Sequence, residues 1–366
     1  MRGKTRSNKF ERATESAIYV QIAEKIRLRL ASGELKEGSK LSSIREISEA
    51  YDVNYLTARQ ALKYLESLGL VEMQTGRGTY VTSPRAQQMR IGVVVPDLAY
   101  RVNSGISKGI REETTSRDVT PIFMDYHNDV RVEVTYLDRL VAEKFTGALV
   151  YPSLEADTPR QLLKMILGGF PLVFVDRAPP EMPCWLISSD DYQIGRLAAR
   201  HLIEAGARTL ACVGSPFPNL QERVRGFREE ANELGVAVPS SRMPSSEGVP
   251  VEGSQFITTN LMALNPRPDG IFYFNDQYAL VGLRQLHDMG IDVPGQVKIV
   301  GCDNIEATWH CRPTLTTISQ NPMEIGHKAF QMLSELLEAP PEDRLVSRHV
   351  RQAVELVVRE STGTRS

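Results

Sequence analysis

The sequence contains few cysteines, and their spacing is that of no metal site or redox motif. Its 366 residues include Cys184, Cys212, Cys302 and Cys311. None of them forms a Cys-x-x-Cys pair, and no cluster of histidine and cysteine has zinc spacing. Cys212 and Cys302 lie inside apolar, strand-like runs, which predicts buried free thiols. The sequence therefore gives no reason to expect a metal or a cofactor.

Long apolar runs are also absent. No stretch reaches the roughly 20 apolar residues of a membrane-spanning helix. The first ten residues (MRGKTRSNKF) are charged but lack the apolar core of a signal peptide. A cytoplasmic protein with no membrane partner is therefore expected. The chain also lacks a phosphate loop, a nucleophile elbow and a Gly-x-Gly-x-x-Gly motif after the first strand-like run of its large domain, so an enzyme is not favoured.

Charge is distributed unevenly along the chain. The formal net charge is −2, but residues 1–90 carry +6 and the remainder carries −8. A basic segment on an acidic protein indicates a polyanion partner for that segment alone. A solvated basic tail explains the charge equally well, so local patterns must decide. With 366 residues and 42% hydrophobic content, the chain is long enough for more than one domain.

Residues 14–83, here called the head, have the pattern of a winged helix-turn-helix. Apolar residues recur every fourth position over 18–30 and predict a first helix. Ser43 and Glu46 have capping-box spacing and open a second helix. Asn54 can cap a third helix. Two short strands follow, predicted at 71–74 and 79–82.

The predicted third helix has a polar face. Tyr55, Arg59 and Lys63 are spaced i, i+4 and i+8, so they project together. Thr57 and Gln60 lie beside them, and in the major groove arginine can read guanine while glutamine can read adenine. An ordinary solvated helix face explains this helix taken alone. The capped neighbouring helix and the glycine-rich hairpin together favour DNA binding.

Two further positions in the head suit a DNA contact. Arg45 begins the second helix, where it can reach a phosphate or a base edge. Arg77 lies at the hairpin tip between Gly76 and Gly78. Glycine lets the tip approach a narrow groove closely, and the negative potential there favours arginine. We therefore expect the head to bind operator DNA.

The stretch "IYVQIAEKIRLRLASGELKEGSKLSSIREISEAYDVNYLTARQALKYLESLGLVEMQTGRGTYV" resembles the GntR family of bacterial winged-helix regulators. The resemblance implies DNA contacts by Arg45, Thr57, Arg59 and the glycine-flanked hairpin. The family usually has proline where Ser42 stands and often has arginine where Tyr55 stands. One base contact of the family is therefore missing, which suggests a different operator.

A polar, proline-containing segment without periodicity, residues 84–90, is predicted to be a linker. In residues 91–366, here called the body, strand-like apolar runs alternate with amphipathic stretches such as 222–234 and 278–289. This alternation predicts an α/β fold with parallel sheet and helices on both faces. The predicted strands are 91–95, 120–124, 148–151, 172–175, 210–214, 270–274 and 297–301.

Polar side chains crowd directly after several strand-like runs. They are Asp176-Arg177, Ser189-Asp190-Asp191, Asn275-Asp276 and Asp303-Asn304. Loops at the carboxyl ends of parallel strands form ligand sites. Asp and Asn can grip vicinal hydroxyls, Arg can donate to sugar oxygens, and paired carboxylates can hold a metal or move a proton. For any single Asp, capping of a strand end is the commoner role.

Residues 91 to about 360 resemble the effector domain of the LacI/GalR regulators, which is related to periplasmic sugar-binding proteins. The matching motifs are "IGVVVPDL", "PLVFVDR", "SSDDYQIGRLAARHLIEAG", "QERVRGF", "IFYFNDQYALVGLRQL", "VPGQVKIVGCDN" and "PTLTTISQNPMEIG". The resemblance implies two Rossmann-like lobes joined by crossing strands, with the ligand in the cleft. It also implies a set of sugar-binding residues. They are Asp176, Arg177, Arg223, Asn275, Asp303 and Gln320.

Other candidate ligand contacts are less determined. Sugar binders often carry Asn-Pro-Phe-Phe after the first strand, where this chain has "YRVN". Tyr100 offers a stacking ring there, and Arg101 could meet an acidic group on the ligand. Asp190 lies either beside the ligand or outside the cleft. Trp185 and Trp309 serve either as aromatic faces or as packing residues.

Together these features predict a dimeric, sugar-responsive transcription regulator that acts as a repressor. The head binds a palindromic operator, and the body closes on a monosaccharide or derivative, which alters DNA affinity. A GntR-like head on a LacI-like body resembles the arabinose-type repressors of bacteria. A corepressor-dependent regulator that senses a non-sugar ligand such as a purine is the alternative. A transport binding protein would need a signal peptide and no DNA-binding head.

Overall fold

The computed structural model describes residues 18–31, 34–36, 38–67, 69–74, 77–81, 89–117, 119–155, 157–247, 251–340 and 343–363. The chain forms two compact units, divided between Met89 and Arg90. The first unit contains the head and the second contains the body. No helix in the described ranges is both long and apolar enough to cross a membrane.

The described part of the head consists of three helices and a β-hairpin, which is the winged-helix architecture that the sequence predicts. Its elements are α1 (Ile18–Ala31), α2 (Ile44–Ala50), α3 (Tyr55–Ser67), β1 (Val71–Gln74) and β2 (Gly78–Val81). The two strands pair antiparallel. Ile22, Ile26, Leu62 and Leu65 are fully buried or nearly so, and they form the centre of the core.

The helix starts of the head follow the sequence signals. Ser43 Oγ accepts a hydrogen bond from Glu46 N at 3.2 Å, and Glu46 Oε2 accepts one from Ser43 N at 2.7 Å. This confirms the capping box of α2. Asn54 Oδ1 accepts from Thr57 N at 2.8 Å and so caps α3. These caps fix the position at which each helix begins, and with it the direction of the side chains in its first turn.

The described part of the body has two lobes, each a mostly parallel sheet covered by helices. The sheet of the first lobe has the strand order β12-β7-β6-β5-β3-β4, and that of the second has β13-β11-β10-β9-β8. The strands are β3 (Met89–Val95), β4 (Val119–Asp125), β5 (Gly147–Val150), β6 (Leu172–Val175), β7 (Trp185–Ser189), β8 (Leu210–Val213), β9 (Gly270–Tyr273), β10 (Lys298–Cys302), β11 (Thr316–Ser319), β12 (Arg348–Gln352) and β13 (Glu355–Val357). The pair β11–β13 is antiparallel.

Helices cover both sheets of the body. They are α4 (Arg101–Thr115), α5 (Val130–Ala142), α6 (Asp157–Leu167), α7 (Asp191–Glu204), α8 (Pro218–Glu233), α9 (Gln255–Met262), α10 (Asp276–Asp288), α11 (Ala307–His310) and α12 (Pro322–Glu338). Cys212 in β8 and Cys302 in β10 are buried and free, as predicted.

In the described residues the chain crosses between the lobes after β7, after β11 and after β12. Helix α12 returns to the first lobe, where it packs on α4 and against β5, β6 and β7. The crossings lie at the carboxyl ends of the parallel strands, so the strand ends of both lobes face one cleft. This is the arrangement that the resemblance to LacI/GalR effector domains implied.

One predicted boundary is corrected. Met89 and Arg90, which the sequence assigned to the linker, are the first residues of β3. Arg90 O accepts a hydrogen bond from Thr146 N at 2.8 Å, so the sheet begins earlier than the apolar run suggested. Backbone pairing extends a strand into polar sequence wherever a partner strand reaches. Residues 82–88 lie outside the described ranges.

Helices α7 and α8 touch backbone to backbone. A Cβ placed on Gly195 of α7 would lie 1.9 Å from Arg223 O, and one on Gly226 of α8 would lie 2.1 Å from Tyr192 O. Only glycine permits this approach. Because Arg223 belongs to α8, the contact also fixes how far the Arg223 side chain extends toward the cleft.

Candidate effector cleft and nucleic-acid interface

A cavity of about 460 Å³ lies between the two lobes of the body. Seven of the eight predicted effector residues line it, and the exception is Arg101. The seven come from both lobes and from the crossing after β11, so sequence motifs that are far apart meet at one place. They are Tyr100, Asp176, Arg177, Arg223, Asn275, Asp303 and Gln320.

Asp303 is the centre of a hydrogen-bond network across the cleft. It follows β10 directly, with a positive φ of 117°. Gln320 Nε2 donates to Asp303 Oδ1 at 2.5 Å, and the Tyr100 hydroxyl of the opposite lobe donates to Oδ2. Ser189 Oγ donates to Gln320 Oε1 at 2.6 Å, which fixes the orientation of the amide. Burial raises the pKa of the Asp303 carboxyl, although the nearby Arg223 charge opposes the change.

Arg223 is only 2% exposed and is held on two sides. Its Nε donates to Asp191 Oδ1 at 2.6 Å, and its Nη1 donates to Phe274 O at 2.5 Å. Burial raises the pKa of Asp191 to about 6, and the attraction of Arg223 offsets only part of this effect. The guanidinium is therefore presented to the cavity in one fixed orientation.

Asp176 comes directly after β6 and has a φ of 69°, a conformation that non-glycine residues rarely adopt. Its Oδ2 accepts a hydrogen bond from Asn219 Nδ2 at 3.1 Å. Asn219 lies in the first turn of α8 in the second lobe, so this contact also crosses the cleft. The backbone conformation turns the carboxylate from the sheet edge toward the opposite lobe, and such strain is common at ligand sites.

Arg177 is enclosed by two aromatic rings. Its guanidinium carbon lies 4.7 Å from the ring centroid of Tyr151 and 4.7 Å from that of Phe217. Its Nε donates to Pro152 O at 2.7 Å. The cation thus contacts one aromatic ring from each lobe.

Asn275 lines the cavity and also has a structural role. Its Oδ1 accepts from Tyr278 N at 3.0 Å and caps α10. The neighbouring Asp276 is buried, and it accepts from Thr317 Oγ1 at 2.6 Å and from Ile305 N at 3.0 Å. Asp276 therefore holds the loop after β10 in place, which is the capping role that the sequence left open.

Several predicted contacts lie away from the cavity. Arg101 Nη2 pairs with Glu306 Oε2 at 2.7 Å on the exposed rim, so the acid that it meets belongs to the protein. Asp190 Oδ1 accepts from Gln193 N at 3.0 Å and caps α7. Trp185 is buried in β7, and Trp309 is exposed beside Arg359. None of these residues is among those that line the cavity.

Apart from Tyr100, the sequence did not reveal the aromatic residues that line the cavity. They are Tyr151, Phe217, Phe274 and Tyr278. Two of them had a usable signal: Tyr151 follows β5 directly, and Phe274 immediately precedes the predicted Asn275. Phe217 and Asn219 lie at the start of α8, where no motif distinguishes a lining residue from an ordinary helix start.

The head places the predicted DNA contacts on its surface. Arg45 is exposed at the start of α2, and Arg77 is exposed at the hairpin. Gly78 has a φ of 117°, which supports the need for glycine there. Gly76 lies outside the described residues. On α3 the exposed predicted contacts are Tyr55, Arg59, Gln60 and Lys63, whereas Thr57 is half-buried and donates to Asn54 Oδ1 at 3.0 Å.

The arginines of the head differ in their pairing. On α1, Arg27 pairs with Glu24 at 2.7 Å between Nη2 and Oε1, and Arg29 pairs with Glu34 at 2.7 Å between the same atoms. In the described part of the chain, no acidic side chain lies within ion-pair distance of the predicted cationic contacts on α2, α3 and the hairpin. They are Arg45, Arg59, Lys63 and Arg77. These cations can donate to phosphate or base acceptors without first breaking an ion pair within the protein.

Comparison with known proteins supports the interpretation of both the head and the body. A model of the bacterial regulatory proteins of the gntR family matches residues 18–81, and a model of the periplasmic binding protein-like domain matches residues 199–362. An arabinose metabolism transcriptional repressor of Geobacillus stearothermophilus is 27% identical over 356 residues, which are 94% of this chain and 97% of the relative. The chain is a transcriptional repressor that joins a gntR-type DNA-binding domain to a periplasmic binding protein-like domain.

Solved structures of other regulators share the fold of most of the repressor chain. A LacI family transcriptional regulator of Enterococcus faecium with bound ribose has a TM-score of 0.63 at 25% identity, and the match covers 75% of the repressor and 98% of that chain. The transcription regulator CcpA of Lactococcus lactis has a TM-score of 0.67 at 19% identity, over 75% of the repressor and 99% of that chain. The matched domains and curated relatives are regulators rather than enzymes, as the sequence indicated.

Side-chain contacts join the two lobes of the repressor within the cavity. They include the hydrogen bonds Tyr100–Asp303 and Asp176–Asn219. Any increase in the separation of the lobes would have to break these contacts.

Proposed function

We propose that the repressor is a homodimer whose head binds a palindromic operator and whose body binds a monosaccharide or a close derivative in the cleft. Ligand binding changes the relative stability of two lobe arrangements, and this changes operator affinity. The relatives support the proposal, since one is an arabinose metabolism repressor and one structural neighbour contains bound ribose.

One observation carries the sugar assignment. Carboxylates, guanidinium groups and carboxamides converge on a cavity that also has aromatic walls. Asp176 and Asp303 can accept from adjacent hydroxyl groups, while Arg177 and Arg223 can donate to oxygens on the same ring. The rings of Phe217 and Phe274 provide apolar faces for the C–H surface of a sugar.

A thermal-shift screen tests the ligand class directly. A ligand that binds only the folded state raises the melting temperature in proportion to the logarithm of its concentration. Full-length repressor is screened against pentoses, hexoses, uronic acids and purines. We expect a neutral pentose or hexose to give the largest shift. A purine as the preferred ligand would replace this proposal with the corepressor alternative.

The head is tested by a charge variant and its matched control. Arg59→Ala should weaken operator binding by roughly 1–3 kcal/mol and relax base preference at one position. Arg27→Ala removes an arginine of the same head that is already paired with Glu24, so operator affinity should stay close to that of the wild type. Equal losses in the two variants would mean that only the net charge of the head matters.

The dimer is tested by sedimentation of the full chain. Two tethered heads raise the effective concentration of the second contact, so a dimer should hold both halves of a palindrome far more tightly than one head alone. We expect a dimer at micromolar concentration. A monomer that still protects both half-sites would contradict this part of the proposal.

A further inference from the structure

The polar stripe of α3 contains one apolar residue, Leu56. Its side chain is 66% exposed. Relative to Leu56, the residues at i+3, i+4 and i+7 are Arg59, Gln60 and Lys63, which is the spacing of a single helix face. All three are exposed. Leu56 therefore shares the face that is proposed to enter the major groove. Of these four residues it lies nearest to the start of the helix.

The local geometry leaves Leu56 available for a partner. The Asn54 cap sets the start of α3, so residue 56 lies in its first turn. The apolar residues that pack into the head from this helix are Ala58, Ala61, Leu62 and Leu65, which lie on the opposite face. The Leu56 side chain lies among an arginine, a glutamine and a lysine, so it does not contribute to the packing of the core.

The major groove offers an apolar group that suits this position. Thymine alone among the four bases carries a C5-methyl group there, and apolar side chains read it by contact. Helix-turn-helix proteins contact base edges with the N-terminal residues of the recognition helix. Lys63 on the same face can contact a phosphate and hold the helix in the groove, which would bring the leucine against a base edge.

We propose that Leu56 is a specificity-determining residue that reads the methyl group of one thymine in each operator half-site. This inference rests on the proposed DNA binding of the head. It adds an apolar contact to the polar contacts made by Arg59 and Gln60. It also gives this operator a base preference that the Tyr55 departure from the GntR pattern does not explain.

The test removes the methyl group from the DNA and the leucine from the protein. Full-length repressor first selects duplexes from a randomised library. In the selected duplex each dT is then replaced singly by 2′-deoxyuridine, which keeps the base pair and the O4 acceptor. We expect one position per half-site to lose about fourfold in affinity for the wild type, the value of one buried methyl group.

Leu56→Ala should abolish this discrimination, binding the dT and dU duplexes equally, because alanine keeps the helix but cannot reach the methyl group. Leu28→Ala is the control, since Leu28 is also exposed but lies on α1. It should retain the wild-type ratio.

The inference fails if the wild type binds every dU duplex as tightly as the parent, if Leu56→Ala retains the wild-type ratio, or if the selected half-sites contain no thymine. In those cases DNA binding itself stands. If no duplex is selected at all, the proposed function of the head fails, and the inference fails with it.

Discussion

At the scale of single residues, Asp303 is where contacts from both lobes and from the crossing after β11 meet. Its carboxylate accepts from Tyr100 and Gln320, and each donor comes from a different part of the body. A sugar hydroxyl that replaces Tyr100 would meet a charged acceptor that is already oriented. Hydrogen bonds to charged groups are worth about 1.5–3 kcal/mol.

Asp303→Asn should therefore weaken binding of the sugar found in the screen by about tenfold to a hundredfold. The melting temperature of the ligand-free protein should change little, because an isosteric amide fills the same space. Calorimetry on both proteins measures the loss. Asp129→Asn is the control, since that residue caps α5 outside the cavity and asparagine caps equally well. Unchanged affinity in Asp303→Asn would contradict the site.

Asp191 predicts a dependence of stability on pH. Its pKa in the folded state is about 6, above the ordinary value of 3.8, because the carboxyl is buried. The folded state thus favours the protonated form, and the stabilising contribution is complete below pH 4 and lost as the pH rises through about 6. Asp191→Asn should lose less unfolding free energy between pH 4 and 6 than the wild type, by up to about 3 kcal/mol.

Denaturant unfolding at several pH values measures this difference. Asp288→Asn is the control, because the hydrogen bond from Arg284 lowers the pKa of that exposed carboxyl, so its stabilising contribution is nearly constant above pH 4 and is lost only as the pH falls below 4. Parallel curves for the wild type and Asp191→Asn over pH 4–6 would show that the Asp191 carboxyl is ionised as readily in the folded as in the unfolded state.

The sequence identified more of the charged residues that line the cleft than of the residues that contact them. Asp176 and Asp303 could be found because each directly follows an apolar run that had to be a strand. Asn219 and Phe217 could not, because they lie at a helix start in the other lobe, and only the fold brings them close. Arg101 lies on the rim rather than in the cavity, because a difference of one residue at the start of α4 separates the two positions.

At the scale of elements, the close contact of α7 and α8 predicts that alanine in place of glycine lowers the stability of the body instead of raising it. Alanine normally stabilises a helix relative to glycine by about 1 kcal/mol. Gly195→Ala should instead destabilise the body by several kcal/mol, because its Cβ would lie 1.9 Å from Arg223 O and the helices would have to separate. Thermal unfolding measures the change. A raised melting temperature would show that the helices are not in contact.

Four of the described strands were not predicted, and each has a physical reason. Strands β12 and β13 are at sheet edges and largely exposed, so they lack an apolar pattern. Strand β11 is buried but polar, because Thr316 and Thr317 satisfy their hydroxyl groups internally. Strand β7 ends in two serines that bond to Gln320 and His349. A hydrophobic pattern reveals only strands that bury apolar side chains, whereas these four strands depend on backbone pairing and side-chain hydrogen bonds.

At the scale of the whole molecule, the head and the body have different chemical functions that need no common residue. The head offers unpaired cations and a readable helix face, and the body offers a cleft whose lobes share contacts. Regulation requires only that the ligand and the operator each bind one lobe arrangement better than the other. Such coupling is a free energy, so it must act equally in both directions.

The most direct test of this account is a linkage measurement on the full-length repressor. Operator affinity is measured by fluorescence anisotropy with and without saturating sugar, and sugar affinity is measured with and without the selected operator duplex. The two ratios should be equal and lie within about 5- to 150-fold, and Asp303→Asn should need about tenfold to a hundredfold more sugar for the same change in operator affinity. An operator affinity of the wild type that is unchanged at saturating sugar would contradict the account.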